Sequence, residues 1–143
     1  MANSATVLTE WIDEGIEFIR NNPNTDSVVP VYIEQDHHPY RAKRMNQEGF
    51  LENYFDFTNQ NISSNRQFLP KNFFLCHNFW ILNIAKNVIN SEGQKPWTFL
   101  GNIIKPIIVD GCFDVHTEED LIKTENWLNQ NSKNSPSLID HVG

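Results

Sequence analysis

Two short segments rich in β-branched residues constrain the fold of this 143-residue chain more than any other feature. They are "SVVPVYIE" (27–34) and "IIKPIIVD" (103–110), and both are predicted to be strands in the interior. Pro30 has no backbone N–H to give to a neighbouring strand. It therefore predicts that the first strand lies near an edge or contains a bulge at this point.

A third apolar run, "NFFLCHNFWIL" (72–82), is long for a strand. Alternation along an extended chain would place four of its side chains on one face, namely Phe73, Leu75, His77 and Phe79. Residues 83–93 are predicted to follow as a short helix that ends at Gly93. Between the first and third runs, "NQEG" (46–49) predicts a turn between two short strands, and 56–66 is a polar loop.

Helical periodicity marks both ends of the chain. Thr9 is predicted to cap a helix whose face carries Ile12, Ile16 and Ile19, and Pro23 stops that helix. Helices and strands in this order predict an α/β domain over residues 1–130. The polar residues 131–143 are expected to form a disordered tail.

A second capping signal precedes the last predicted helix. Thr117 and Asp120 have the spacing of a capping box, with Asp in the place of the usual Glu or Gln. The side chains expected along one side of this helix are Leu121, Thr124, Trp127 and Leu128.

Charge and cysteine content exclude some partners and indicate a compartment. With 11 basic and 18 acidic residues the formal charge is −7, so no basic surface for nucleic acid is expected. No stretch approaches the roughly 20 apolar residues of a membrane span, and no membrane partner is expected. Cys76 and Cys112 form neither a CxxC pair nor a disulfide framework. We therefore expect two reduced cysteines in a cytoplasmic protein.

Three arginines near predicted loops are candidates for binding an anion, because a guanidinium can hold a carboxylate or phosphate through two N–H groups. Arg41 and Arg44 follow the His37–His38 doublet, whose side chains diverge and favour a loop-fixing role over a shared metal. Arg66 ends the polar loop together with Gln67, a common position for ligand contacts. The alternative for each arginine is a solvated surface charge.

Asp114 and His116 are one residue apart in "FDVHTEED" (113–120) and would share one side of an extended segment. Together they could chelate one cation. The carboxylate suits Mg²⁺, whereas the imidazole favours a softer ion. Spacing alone leaves the alternative of a capped turn with solvated acids. No GxGxxG or GxxxxGKS phosphate loop is present in the sequence.

Three segments in this order resemble a known family. They are "DSVVPVYIEQDHHPYRAKRM", "NRQFLP" and "FDVHTEEDL", and they are similar to the C-terminal half of the CMP-sialic acid synthetases, the acylneuraminate (nonulosonate) cytidylyltransferases. The resemblance covers most of residues 5–130. It implies a partial Rossmann-like nucleotide-diphospho-sugar transferase fold that lacks its N-terminal nucleotide-binding half. The implied nucleotidyltransferase activity converts CTP and an acidic nine-carbon sugar to a CMP-sugar and pyrophosphate.

The resemblance also implies a site and partners. The implied substrate-binding residues are Arg41, Arg66, Gln67 and Trp80. Asp114 and His116 take the places of two metal-binding aspartates, so Mg²⁺ or Mn²⁺ is the implied cofactor, and His116 would weaken the affinity for Mg²⁺. A homodimer is implied by analogy with the family.

Two departures from the family limit the implied activity. The CTP loop of the family is missing, and the "NG" pair of its central strand is Cys76–His77 here. We therefore expect a truncated or split enzyme that is inactive alone, and no catalytic residue is assigned. The alternative is a non-catalytic binding or dimerisation module derived from the same fold.

Overall fold

The computed structural model describes residues 3–86 and 92–131. Its helices are α1 (Thr9–Asn21) and α2 (Glu118–Asn131). Its strands are β1 (Ser27–Ile33), β2 (Lys43–Met45), β3 (Leu51–Asn53), β4 (Phe73–Leu75), β5 (Ile81–Leu82) and β6 (Ile104–Ile108). The mixed α/β class is confirmed. The chain divides into two compact units, Met1–Val31 with Leu75–Gly143, and Tyr32–Phe74.

Strand β1 is the centre of the larger sheet, as its predicted burial requires. It pairs in parallel with β6, from Ser27 opposite Ile104 to Val31 opposite Ile108. On its other side it pairs antiparallel with β5 at Ser27 and Val28, and β4 borders it as well. Because β1 has neighbours on both edges, its first five residues are buried.

Pro30 lies in the middle of this central strand, so the predicted edge position is wrong. Its carbonyl accepts a hydrogen bond of 2.8 Å from the Cys76 N–H. A backbone N–H at position 30 would point to the same side as this carbonyl, toward residues 76–80. These residues form no strand, so no carbonyl of a paired strand lacks its donor there. The break in the neighbouring strand accommodates the missing donor in place of an edge.

The single strand predicted over residues 72–82 is also wrong. The chain forms β4, leaves the sheet at Cys76, and returns as β5. No continuous face therefore joins Phe73 to Phe79. The helix predicted over 83–93 is described only as a single 3₁₀ turn at Ile84–Lys86, because residues 87–91 lie outside the described part of the chain.

Cys76 and Cys112 form a disulfide, so the expectation of two reduced cysteines is wrong. Their Cα atoms are 5.4 Å apart, within the usual range for such a bond, and 36 residues separate them in sequence. The bond joins the break between β4 and β5 to the segment between β6 and α2. It therefore connects two parts of the chain that the sequence pattern does not relate.

The core of the larger unit lies against β1. Its buried centre is Val29, Val31 and Leu100, around which partly buried side chains pack, namely Leu75, Trp80, Leu82, Trp97, Phe99 and Ile104. The Ser27 hydroxyl donates a hydrogen bond of 2.6 Å to the Leu100 carbonyl, which fixes the loop before β6 on the core. The aromatic residues of the chain thus supply much of its buried volume.

Helix α1 begins at Thr9, the residue predicted to be its N-cap, and thus one residue earlier than predicted. Leu8 occupies the N-cap position without a side-chain hydrogen bond, and Thr9 is the first helical residue. The predicted apolar face is only partly buried. Gly15 is the buried residue of this helix, and a methyl group there would collide with Ile81 and crowd Val28. Gly15 therefore lets α1 approach the sheet closely.

The capping box before α2 is confirmed. The Thr117 Oγ1 accepts from the Asp120 N–H at 3.2 Å, and the Asp120 carboxylate accepts from the Thr117 N–H at 3.1 Å. Of the four side chains expected along one side of this helix, Thr124 and Trp127 are buried, whereas Leu121 and Leu128 are exposed. The helix continues to Asn131, and the rest of the predicted tail, 132–143, lies outside the described residues.

The smaller unit contains a β-hairpin. Strands β2 and β3 pair antiparallel from Lys43 opposite Asn53 to Met45 opposite Leu51. Gly49 has a φ of 86° in the connecting turn, which confirms the predicted turn at "NQEG". Beyond the hairpin, Arg66–Phe68 forms a single 3₁₀ turn.

We predict that Gly111→Ala lowers the free energy of unfolding by about 1–3 kcal/mol through overpacking. A Cβ atom at this position would lie 2.7 Å from Cε2 and 2.8 Å from Cζ2 of the Trp127 ring, which is buried and cannot move aside. Urea unfolding measures the change. In a Trp127→Leu background the cost should shrink, and an equal cost in both backgrounds would contradict this explanation.

A second prediction concerns Asp26. Its carboxylate accepts from the N–H groups of Ile103 and Asn102, both at 2.8 Å, and the bond from Ile103 contributes most to holding the pKa of Asp26 below its ordinary value of 3.8. Because the folded pKa is the lower one, the stabilisation is present above pH 3.8 and is lost as the pH falls through the folded pKa.

Urea unfolding between pH 6 and pH 3 tests this dependence. Asp26→Asn should flatten the loss of stability at acidic pH, whereas Asp13→Asn, at an exposed position of α1, should leave it unchanged. An unaltered acid profile in Asp26→Asn would contradict the assignment.

Candidate functional site

A cavity of about 540 Å³ in the smaller unit is lined by the first predicted site residue, Arg41. The cavity is also lined by Lys43 from β2 and by the polar loop that follows the hairpin. The polar lining residues of that loop include Asn61, Ser63 and Ser64. Basic side chains and hydroxyl and amide groups thus line one cavity together with Tyr40, Phe57 and Ile62, an arrangement that can bind an anion with polar substituents.

His38 positions Arg41. It is 4% exposed and precedes the single 3₁₀ turn Pro39–Arg41. Its Nδ1 accepts from the Tyr40 N–H at 3.1 Å, so its Nε2, which carries the proton, donates to the Pro70 carbonyl at 3.0 Å. His37, by contrast, is exposed beside Glu34. The loop-fixing role predicted for the doublet is therefore carried by His38.

The charges of Arg41 and Lys43 are not neutralised by a carboxylate of any described residue. Arg41 Nη1 donates to the backbone carbonyl of Asp36 at 3.4 Å, and Lys43 donates to the side-chain amide oxygen of Asn53. Arg44, three residues after Arg41, differs: its Nε lies 2.7 Å from a Glu52 carboxylate oxygen. Arg41 and Lys43 therefore remain available to an anionic ligand, and Arg44 does not.

Arg66 and Gln67 line a different cavity of the smaller unit, of about 470 Å³. Asn65 caps their 3₁₀ turn by accepting from the Gln67 N–H at 3.0 Å. The Arg66 guanidinium forms an ion pair with Asp36, and Glu34 lines the same cavity. The structure thus separates Arg66 and Gln67 from the cavity of Arg41, and Arg66 already has an acidic partner.

Asp114 and His116 are exposed in the larger unit, on the segment between β6 and α2. Hydrogen bonds hold this segment in place. The Val115 N–H donates to the Asn3 carbonyl at 2.8 Å, and the Asn3 amide nitrogen lies 3.4 Å from the His116 Nε2. Upstream, the Gly111 carbonyl accepts from the Asn78 side chain at 2.8 Å. The two candidate ligands therefore project from a well-anchored backbone.

Asp120 is close to this pair but is engaged by the helix cap. Its carboxylate accepts from the Thr117 hydroxyl at 2.8 Å and from the His116 N–H at 3.3 Å. The hydrogen bond from the Thr117 hydroxyl is the largest of the effects that lower the pKa of Asp120 below its ordinary value. Asp120 is therefore ionised at neutral pH and serves the cap.

Within residues 3–86 and 92–131, no group of three or more His, Cys, Asp or Glu side chains is arranged to hold a metal ion. The candidate pair offers one carboxylate oxygen and one imidazole nitrogen. These donors fit a divalent ion that accepts nitrogen, such as Mn²⁺, better than Mg²⁺. Water or phosphate oxygens of a substrate would complete the coordination.

Trp80 is half-buried against the core of the larger unit. Its indole N–H donates to the Cys76 carbonyl at 2.9 Å, and its ring centroid lies 5.8 Å from that of Trp97 and 5.4 Å from that of Phe99. Its polar edge is thus used inside the protein. The role of Trp80 in binding substrate stays a prediction from the resemblance.

Sequence reasoning missed Ser63 and Ser64, which also line this cavity. Lys43, by contrast, belongs to the short basic cluster of Arg41, Lys43 and Arg44, which the sequence already offers for one anionic small molecule. The serines carry no such signal, because they reach the cavity from a loop without periodicity.

Comparisons with known proteins do not assign the chain. No protein-family model matches it, and a search of curated proteins found no relative. Neither described helix is long and apolar enough to cross a lipid bilayer. The interpretation of the site therefore depends on its geometry and on the three segments that resemble the cytidylyltransferases.

Proposed function

We propose that this chain carries the acidic-sugar and metal sites of an acylneuraminate cytidylyltransferase-like nucleotidyltransferase. One observation carries this proposal: Arg41 and Lys43 line the same cavity, and neither is paired with a carboxylate of a described residue. The parallel pairing of β1 with β6 is compatible with the partial Rossmann-like fold that the resemblance implies.

In this proposal the sugar carboxylate binds to Arg41, whose planar guanidinium can hold both carboxylate oxygens, and Lys43 adds a second positive charge. Asn61, Ser63 and Ser64 offer donors and acceptors for the hydroxyl and acyl groups of a nine-carbon sugar. A cavity of about 540 Å³ lies within the range of small-molecule sites.

In this proposal Arg66 and Gln67 contribute less to sugar binding than Arg41 does. Asp36 already neutralises Arg66, so a sugar carboxylate would have to displace Asp36 before binding this arginine. Gln67 has both an amide donor and an acceptor for sugar hydroxyls. We therefore assign the carboxylate to Arg41 and expect the loss of Arg66 to matter less.

Asp114 and His116 would hold a divalent cation, Mg²⁺ or Mn²⁺. When bound, such an ion neutralises charge that develops on the phosphates during nucleotidyl transfer. The Asp114 carboxylate supplies the hard oxygen ligand, and His116 biases the site toward Mn²⁺. In the proposal, the loop that binds the CTP phosphates comes from a polypeptide segment outside these residues.

A second candidate function is a non-catalytic binding or dimerisation module. It is favoured by the apolar side chains that the hairpin exposes: Met45 is 71%, Phe50 67% and Leu51 72% exposed. Exposed side chains of this kind, close together on a hairpin, mark interaction surfaces in many proteins. Burial in a homodimer would remove them from water, and both candidate functions can use the same acidic-sugar cavity.

Sugar binding tests the cavity. Isothermal titration with N-acetylneuraminate should give a dissociation constant that Arg41→Ala raises about 10- to 100-fold, since a charge-assisted hydrogen bond contributes about 1.5–3 kcal/mol. Arg44→Ala is the matched control, because Glu52 already pairs with Arg44, and its dissociation constant should be unchanged. Equal weakening by both substitutions, or no binding by the unaltered chain, would overturn the proposed cavity.

Pyrophosphate release tests the chemistry. The chain alone, given CTP, the sugar and Mg²⁺ or Mn²⁺, should release no pyrophosphate, and a polypeptide with the CTP loop should restore release. In the restored reaction His116→Asp should shift the preference from Mn²⁺ toward Mg²⁺, and Asp114→Asn should abolish release.

Turnover by the chain alone at an ordinary rate, about 1 s⁻¹ or faster, would contradict the need for a second part. Sugar binding without pyrophosphate release in any combination would favour the binding module instead.

A further inference from the structure

The Cys76–Cys112 disulfide lies next to the candidate metal ligands in the sequence. Cys112 precedes Asp114 by two residues and His116 by four, on the same anchored segment. Cys76 is fully buried, and its N–H donates to Pro30 in the central strand of the sheet. The disulfide therefore links the backbone that carries both candidate ligands to the sheet at its centre.

The same loop provides a second, weaker link to this segment. The Asn78 side-chain amide donates to the Gly111 carbonyl at 2.8 Å and to the Thr6 carbonyl at 2.6 Å. If the disulfide opened, the bond from Asn78 to Gly111 would be the remaining described link from residues 76–80 to this segment. The other described bonds to the segment come from the N-terminal residues, through the Asn3 carbonyl and the Thr6 hydroxyl. A hydrogen bond contributes little net stability, so local opening would become easier.

The proposed use of CTP gives the disulfide a functional meaning. CTP is made and consumed inside cells, where thiols are kept reduced and protein disulfides are usually transient and redox-sensing. Cys112 is only partly buried, in contrast to Cys76, so we expect a reductant to approach the bond from the side of Cys112. The bond is thus placed where it can be opened.

We propose that the Cys76–Cys112 disulfide is a redox-sensitive tether, which orders residues 111–117 when it is formed and releases them when it is reduced. The step is a thiol–disulfide exchange. A thiolate of an external dithiol attacks Cys112 Sγ, the Cys76 sulfur leaves and takes up a proton, and the second thiol of the reductant closes its own disulfide and frees Cys112. The reductant loses two electrons, and the protein gains two thiols.

The consequence for metal binding rests on the proposed function. After release of residues 111–117, Asp114 and His116 could move independently of each other, and their joint affinity for a divalent cation would be lower. The oxidised protein would then be the form that binds the ion.

Hydrogen exchange of the full chain, read by mass spectrometry, tests the tether. After reduction by a dithiol, the amide of Val115, now bonded to Asn3, should exchange at least about tenfold faster, while amides of α1 and β1 keep their rates. Cys112→Ser should reproduce the reduced pattern without reductant and should not respond to it. Alkylation and intact mass establish the redox state of each sample.

Three outcomes would overturn the tether: equal exchange at Val115 in both states, faster exchange throughout the chain, or two free thiols in an oxidising buffer. Mn²⁺ binding to the oxidised and reduced chain provides the second measurement. Weaker binding after reduction supports control of the site, and equal binding overturns that control. Absence of Mn²⁺ binding in both states counts against the proposed metal site, and Val115 exchange then decides the tether alone.

Discussion

The parallel pairing of β1 with β6 is the constraint on which the larger unit depends. Five consecutive residue pairs fix the register, and both strands therefore end at the same edge of the sheet. The segment with Asp114 and His116 leaves β6 at that edge. The pairing therefore places the candidate metal ligands beyond the carboxyl end of a parallel strand.

Local sequence signals predicted what depends on neighbouring residues. The β-branched composition of β1 and β6, the turn at Gly49, and the reciprocal spacing of Thr117 and Asp120 each lie within a few residues of the structure that they produce. In each case the residues that decide the local conformation stand together in the sequence.

Contacts between distant residues were not predictable from one sequence. The run 72–82 reads as one strand, but the chain leaves the sheet opposite Pro30 and is joined there to Cys112. Similarly, Asp36 forms an ion pair with Arg66 from 30 positions away, and no sequence signal at either residue predicts this pairing. Periodicity reports which side of an element faces the core, but it does not report which two elements meet.

The candidate anion site shows the same limit in chemical terms. Arg41, Arg44 and Arg66 are equivalent as residue types, and what distinguishes them is whether a carboxylate has already been placed beside each one. In a chain with a formal charge of −7, carboxylates outnumber the cations that they can pair with. A structural feature must therefore explain why two cations of one cavity have no carboxylate partner among the described residues. For Lys43 the hairpin provides this feature, because Lys43 is opposite Asn53, a neutral residue, whereas Arg44 is opposite Glu52.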